Sequence, residues 1–148
     1  MTLVRTDKCM RLLTRLFPYI RVRRALRSAE WDVNRLWPSI TILWATAPAL
    51  YKAGIGPMAK VPIELAVIRR LSLDREDAEV LLKSLLVVSN NMLVAYGIFG
   101  LETIGLLDRS EFQVLLETRT GSVKVHAGCI CGHFLLKDLI KSETLDHQ

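Results

Sequence analysis

The chain has 148 residues, of which 51% are hydrophobic and 24% charged, with a formal net charge of +5 and three cysteines. This length suits one domain, and folding buries roughly 68–70% of the extended surface, so a core needs neither disulfides nor metal. A mean hydropathy of +0.27 excludes disorder over most of the chain and favours a sticky surface, a partner interface or membrane contact.

The charge is unevenly placed. Residues 1–36 hold nine basic residues and three acidic ones, whereas the remainder holds eleven and twelve. The basic excess therefore lies in the first quarter, which suggests a polyanionic or anionic-lipid partner for that end, against the plainer reading of a solvated basic face. The odd cysteine count, with no secretory pattern ahead of it, fits free thiols in a reducing compartment. A mitochondrial transit peptide is the nearer targeting alternative, but hydroxyl residues are sparse between Arg15 and Arg27.

The stretch "CMRLLTRLFPYIRVRRALR" (9–27) carries six arginines and no acid. Asp7 can cap a first helix whose apolar residues Cys9, Leu12, Leu13 and Leu16 recur at i, i+3, i+4 and i+7. Arg11 and Arg15 fall on its other face. Pro18 should end, bend or restart this helix. A second apolar stripe then runs through Val22, Ala25, Leu26, Ala29, Val33 and Leu36, with Arg21, Arg24, Arg27 and Arg35 largely off it. A third helix is expected from about Pro38 to Leu50, disturbed by Pro48. "KAGIGPMAKVP" (52–62) is the clearest break and the best candidate hinge.

"IELAVIRRLS" reads as a helix closing near Ser72. Asp74 is a good N-cap for the strongest element, with Glu76, Asp77 and Glu79 placed to oppose the helix dipole. Ala78, Leu81, Leu82, Leu85, Val88, Met92 and Tyr96 hold the helical period for about five turns. "DRSE" (108–111) has the form of a capping box and should open a helix through Phe112, Leu115 and Leu116. Gly121 breaks the chain, "VKV" suggests a short extended piece, and a last helix should cover Phe134 to Ser142.

Two apolar stretches test for a membrane span. "SITILWATAPALY" (39–51) has 13 residues and a proline, too short to cross a bilayer. "LLVVSNNMLVAYGIFGL" (85–101) has 17 uncharged residues, but Asn90 and Asn91 near its middle would leave amides unsatisfied in lipid, so it reads as a buried core helix.

Signals for chemistry are few. "HAGCICGH" (126–133) offers His126, Cys129, Cys131 and His133, the donor types zinc prefers. Four ligands within eight residues would struggle to form a tetrahedron, and the simpler reading makes the cysteines small buried residues beside turn glycines. A Cys–His nucleophile there lacks an evident orienting third residue. Gly97, Gly100 and Gly105 form no phosphate-binding fingerprint, and the carboxylates of "DRED" (74–77) look like helix-start charges. No enzyme activity, cofactor or metal is expected. Trp31, Trp37 and Trp44 fall close together beside the basic segment, and at least two should be core residues.

These observations predict an all-α protein. Five to seven helices should form a domain over 37–148, preceded by a mobile, basic amphipathic segment over 1–36. The candidate membrane- or partner-docking residues are Arg11, Leu12, Leu13, Arg15, Leu16, Arg21, Arg23, Arg24 and Arg27. Apolar residues interleaved with arginines at helical period suit a membrane surface or a partner groove. A nucleic-acid module, with the same arginines on phosphates, is the alternative.

The segment "MRLLTRLFPYIRVRR" (10–24) and the later "NRLWPSITIL" (34–43) resemble paramyxovirus C proteins, short Leu- and Arg-rich chains with a basic amphipathic start and a compact helical domain. The resemblance is one of pattern over the whole chain. It implies a non-enzymatic viral accessory protein of the host cytoplasm, in part at the membrane surface. Such proteins bind host signalling proteins to blunt interferon responses, act on viral polymerase proteins to restrain RNA synthesis, and in some cases assist budding. It also implies a reading frame that overlaps another viral gene. The cysteine–histidine cluster is outside that pattern.

Overall fold

The structure, a computed structural model, describes residues 3–56, 58, 60–128 and 130–139, with side chains described from residue 14 onward. Seven helices and three strands follow one another among these residues. Helix α1 (Leu3–Leu26) runs without interruption through Asp7 and Pro18. Asp7 is therefore inside the helix rather than at its cap. Pro18 neither ends nor restarts it, because the buried stripe around it holds the segment in place. The chain then turns, and α2 (Val33–Ala45) starts on the Asp32 carboxylate, which accepts hydrogen bonds from the backbone amides of Asn34 and Arg35 at 3.1 and 3.4 Å. The expected second stripe is thus split between two helices, and Val22, Ala25, Val33 and Leu36 still meet in one core.

Helix α3 (Ile63–Leu71) follows the glycine–proline loop. The expected five-turn helix after Asp74 is two helices, α4 (Arg75–Leu85) and α5 (Asn91–Thr103). The first ends at Leu85, ahead of "SNN" (89–91), and the Asn90 side chain caps the second by accepting from the Leu93 amide at 3.0 Å. Competition of such a short polar side chain with the backbone ladder outweighs the apolar period. Gly97 and Gly100 of α5 face α4, where an added methyl would lie 3.1 Å from the Leu82 carbonyl oxygen and 2.7 Å from a Leu82 methyl, so the pair permits close helix approach. Val94, Ala95, Tyr96, Ile98 and Leu101 are buried, and α5 touches α2, α3, α4 and the sheet. It is the central helix, and no described helix is long and apolar enough to cross a membrane. Asp108 caps α6 (Arg109–Glu117) as the "DRSE" pattern requires, accepting from the Glu111 amide at 3.2 Å.

The all-α expectation is corrected by a three-stranded mixed sheet. Strand β1 (Leu50–Tyr51) pairs parallel to β2 (Ser122–Ala127), which pairs antiparallel to β3 (Ile130–Leu135). Val123 and Val125 alternate inward to the core while Ser122 and Lys124 face out. That alternation spans only four residues of sequence, too few to stand out. Phe134 and Leu135, expected to open a helix, end β3 instead, and α7 is confined to Leu136–Leu139. The rest of that expected helix lies outside the described residues.

Trp44 is fully buried, stacked on Tyr96 with ring centroids 5.1 Å apart and planes at 2°, and Trp37 meets it edge-on at 5.7 Å. Trp31 is partly buried against the same core. Its indole N–H donates to the Asp74 carboxylate at 2.6 Å, while the Arg70 guanidinium sits 5.2 Å from its ring. Asp74 occupies the N-cap position of α4, but its side chain makes no cap bond; it serves the tryptophan and Arg70 instead.

Candidate functional site

Residues 14–26 of α1 divide by helical geometry into two faces. Arg15, Pro18, Val22 and Ala25, at i, i+3, i+7 and i+10, form the inward stripe. Pro18, Val22 and Ala25 are buried. The opposite arc carries Leu16, Phe17 and Ile20 together with Arg21, Arg23, Arg24 and Arg27, all exposed. Phe17 is 73% exposed. The ring stands beside Leu16 and Ile20, 45% and 43% exposed, so the apolar exposure on this arc is contiguous.

Open clefts flank this arc, and Ile20 with three arginines lines each of two of them. One, of about 360 Å³, lies between α1 and α2 and is lined by Phe17, Ile20, Arg21, Arg24 and Arg35. Glu30 stands at its edge as the one acid among the lining residues. The other, of about 480 Å³, is formed by Tyr19, Ile20, Arg23, Arg24 and Arg27. Arg23 lies 5.9 Å from the Tyr19 ring, close enough for a cation–π contact. No ion pair with a described acid engages Arg21, Arg24, Arg27 or Arg35. Three guanidinium groups line each cleft, Arg21, Arg24 and Arg35 in one and Arg23, Arg24 and Arg27 in the other, an arrangement suited to an anionic group.

The nine sequence-predicted docking residues fare differently. Leu16, Arg21, Arg23, Arg24 and Arg27 are brought together on the exposed arc. Arg11, Leu12 and Leu13 lie on the same helix, with side chains outside the described residues. Arg15 points inward: its guanidinium donates to the Leu43 carbonyl and the Thr46 hydroxyl, each at 2.8 Å, and pairs with the Glu64 carboxylate. It ties α1 to α2 and α3 and adds little to the exposed charge. Sequence reading missed Phe17, Ile20 and Arg35. Phe17 and Ile20 sit one turn before Arg21 and Arg24 respectively, at i and i+4, which the run of letters could have shown. Arg35 reaches the cleft only because α2 folds back.

The cysteine–histidine segment forms the β2–β3 hairpin. Cys131 is an exposed free thiol, not a small buried residue. Cys129 lies outside the described residues. Among those described, no group of three or more His, Cys, Asp or Glu side chains is arranged to hold a metal ion.

The fold and this surface define a small, mainly helical protein with one exposed basic–apolar helix face. Comparison of the chain with family models, curated proteins and solved structures gives no match.

Proposed function

We propose that this chain is a non-enzymatic interaction protein that docks an acidic protein partner on the exposed arc of α1. The observation that carries the reading is the joint exposure of Leu16, Phe17 and Ile20 amid Arg21, Arg24, Arg27 and Arg35, on a helix whose other face is fixed in the core. Aromatic and arginine side chains are the residue types that anchor protein interfaces. The clefts beside Phe17 favour a shaped partner with apolar side chains and carboxylates over a flat lipid surface. The resemblance to paramyxovirus C proteins supports a viral accessory role, with host signalling and viral polymerase proteins as the partners.

The test is a photo-crosslinking residue at Phe17 in the full chain expressed in cells, with captured proteins identified by mass spectrometry. Capture of a defined acidic partner, lost on adding R21E and R24E, is the expected result. Vesicle flotation and RNA gel shifts run beside it. Binding to anionic vesicles or RNA through the same arginines, with no protein captured, would overturn the reading in favour of a membrane or nucleic-acid module. Salt then separates those two, since phosphate contacts on RNA weaken steeply and uniformly with salt.

A further inference from the structure

The hairpin brings together two chemically complementary groups that neither the fold nor the docking surface uses. In the β2–β3 register His126 lies directly opposite Cys131, and Lys124 opposite His133. Opposed and alternate residues share a face, so all four side chains stand on one side of the strand pair. The Cys131 Sγ is 3.5 Å from the His126 Nε2, within hydrogen-bond reach for sulfur. Cys131 itself is exposed and free.

His126 is held for this contact. Its backbone carbonyl accepts from the Lys52 amide at 2.8 Å, and the Tyr51 ring packs against the imidazole with centroids 5.7 Å apart. Strand pairing on both sides fixes its main chain. Lys124 and His133 add further basic groups along the face, and no described acid is ion-paired with His126, Lys124 or His133. A thiol beside a positioned base, with a lysine on the same face and open to solvent, is the environment that makes a cysteine reactive.

We propose that Cys131 is a modification site, a thiol activated by His126 for exchange with small disulfides. The Nε2 takes the thiol proton. The thiolate Sγ attacks one sulfur of the disulfide, forming a new S–S bond as the old one breaks. The departing sulfur leaves as a thiolate and collects the proton from the imidazolium. The protein thiol is oxidised to a mixed disulfide and the other half of the reagent is reduced to a thiol, so no further reactant is needed.

The test uses the folded full chain with glutathione disulfide near neutral pH. Modified positions are assigned from fragment-ion spectra, which separate Cys131 from Cys129. Proton removal by the positioned imidazole gives the folded chain an advantage that the denatured chain lacks. Cys131 should therefore react severalfold faster in the folded chain than in the same chain in denaturant. H126Q should remove the advantage and H133Q should keep it, with circular dichroism confirming that both fold. Equal rates in folded and denatured wild-type chain, or an H126Q rate equal to the wild type, would overturn the proposal. The first comparison needs no variant, so a failure of H126Q to fold leaves the proposal open to refutation.

Discussion

Replacing Arg15 by methionine removes the guanidinium that links three helices and leaves Glu64 buried without its partner. The Glu64 side chain is 4% exposed and that of Arg15 25%. Breaking a buried pair from one side costs about 3–5 kcal/mol, because the remaining charge keeps its desolvation penalty. The partial exposure of Arg15 gives some screening, so the low end, about 3 kcal/mol, is expected for R15M. Against a typical total of about 5–15 kcal/mol that loss is severe but measurable. Urea unfolding followed by tryptophan fluorescence is the assay, since Trp44 is fully buried and its indole N–H donates to the Glu64 carbonyl at 3.3 Å. The double variant R15M/E64L, with both charges gone, should recover to within about 1 kcal/mol of wild type. E64Q alone keeps a hydrogen-bonding group toward Arg15 and should cost about 1–2 kcal/mol. If R15M lost less than about 1 kcal/mol, the pair would behave as a solvated surface contact, and the inward role assigned to Arg15 would be wrong.

Two further predictions concern local structure. N90A should cost about 1 kcal/mol in the same urea assay, because the Asn90 side chain caps α5; no loss would mean that packing alone starts that helix. Burial holds the Tyr96 hydroxyl well above the ordinary tyrosine range, with its proton donated to the Ala49 carbonyl at 2.8 Å. Above the unfolded tyrosine pKa of about 10 the unfolded chain loses a proton that the folded chain retains, so stability should fall by about 1.4 kcal/mol per pH unit from this group. Y96F should flatten the alkaline limb of the stability–pH curve by that slope, and an unchanged limb would show that other groups govern it.

The candidate site was partly legible in the residues. The arginine run and its apolar interleaving marked α1 as the place to look, and Arg21, Arg23, Arg24, Arg27 and Leu16 do share its exposed arc. Arg15 belonged to the same pattern, yet it turned inward. Charge pattern ranks residues by type, whereas the direction of a side chain depends on where the core lies, and the buried carboxylate that claims Arg15 is 49 positions away. A Cys–His pair within 126–133 was conceivable from the residues, but that Cys131 meets His126 was not legible. Their separation of five residues fits no motif, and only the hairpin register brings them face to face.

The amino-acid sequence by itself determined most helices, because caps, period and breaks are local. Asp108 and its downstream glutamate mark one start, and the glycine–proline loop marks the break before α3. It also determined the basic bias of the first quarter, which is composition and needs no folding. Tertiary structure alone decided two things. It chose one continuous α1 through Pro18, and it paired Leu50–Tyr51 with a strand some 75 positions later, opposite Val125 and His126. Each depends on contacts between segments far apart in the chain, whose energy outweighs local preference once the loop entropy has been met.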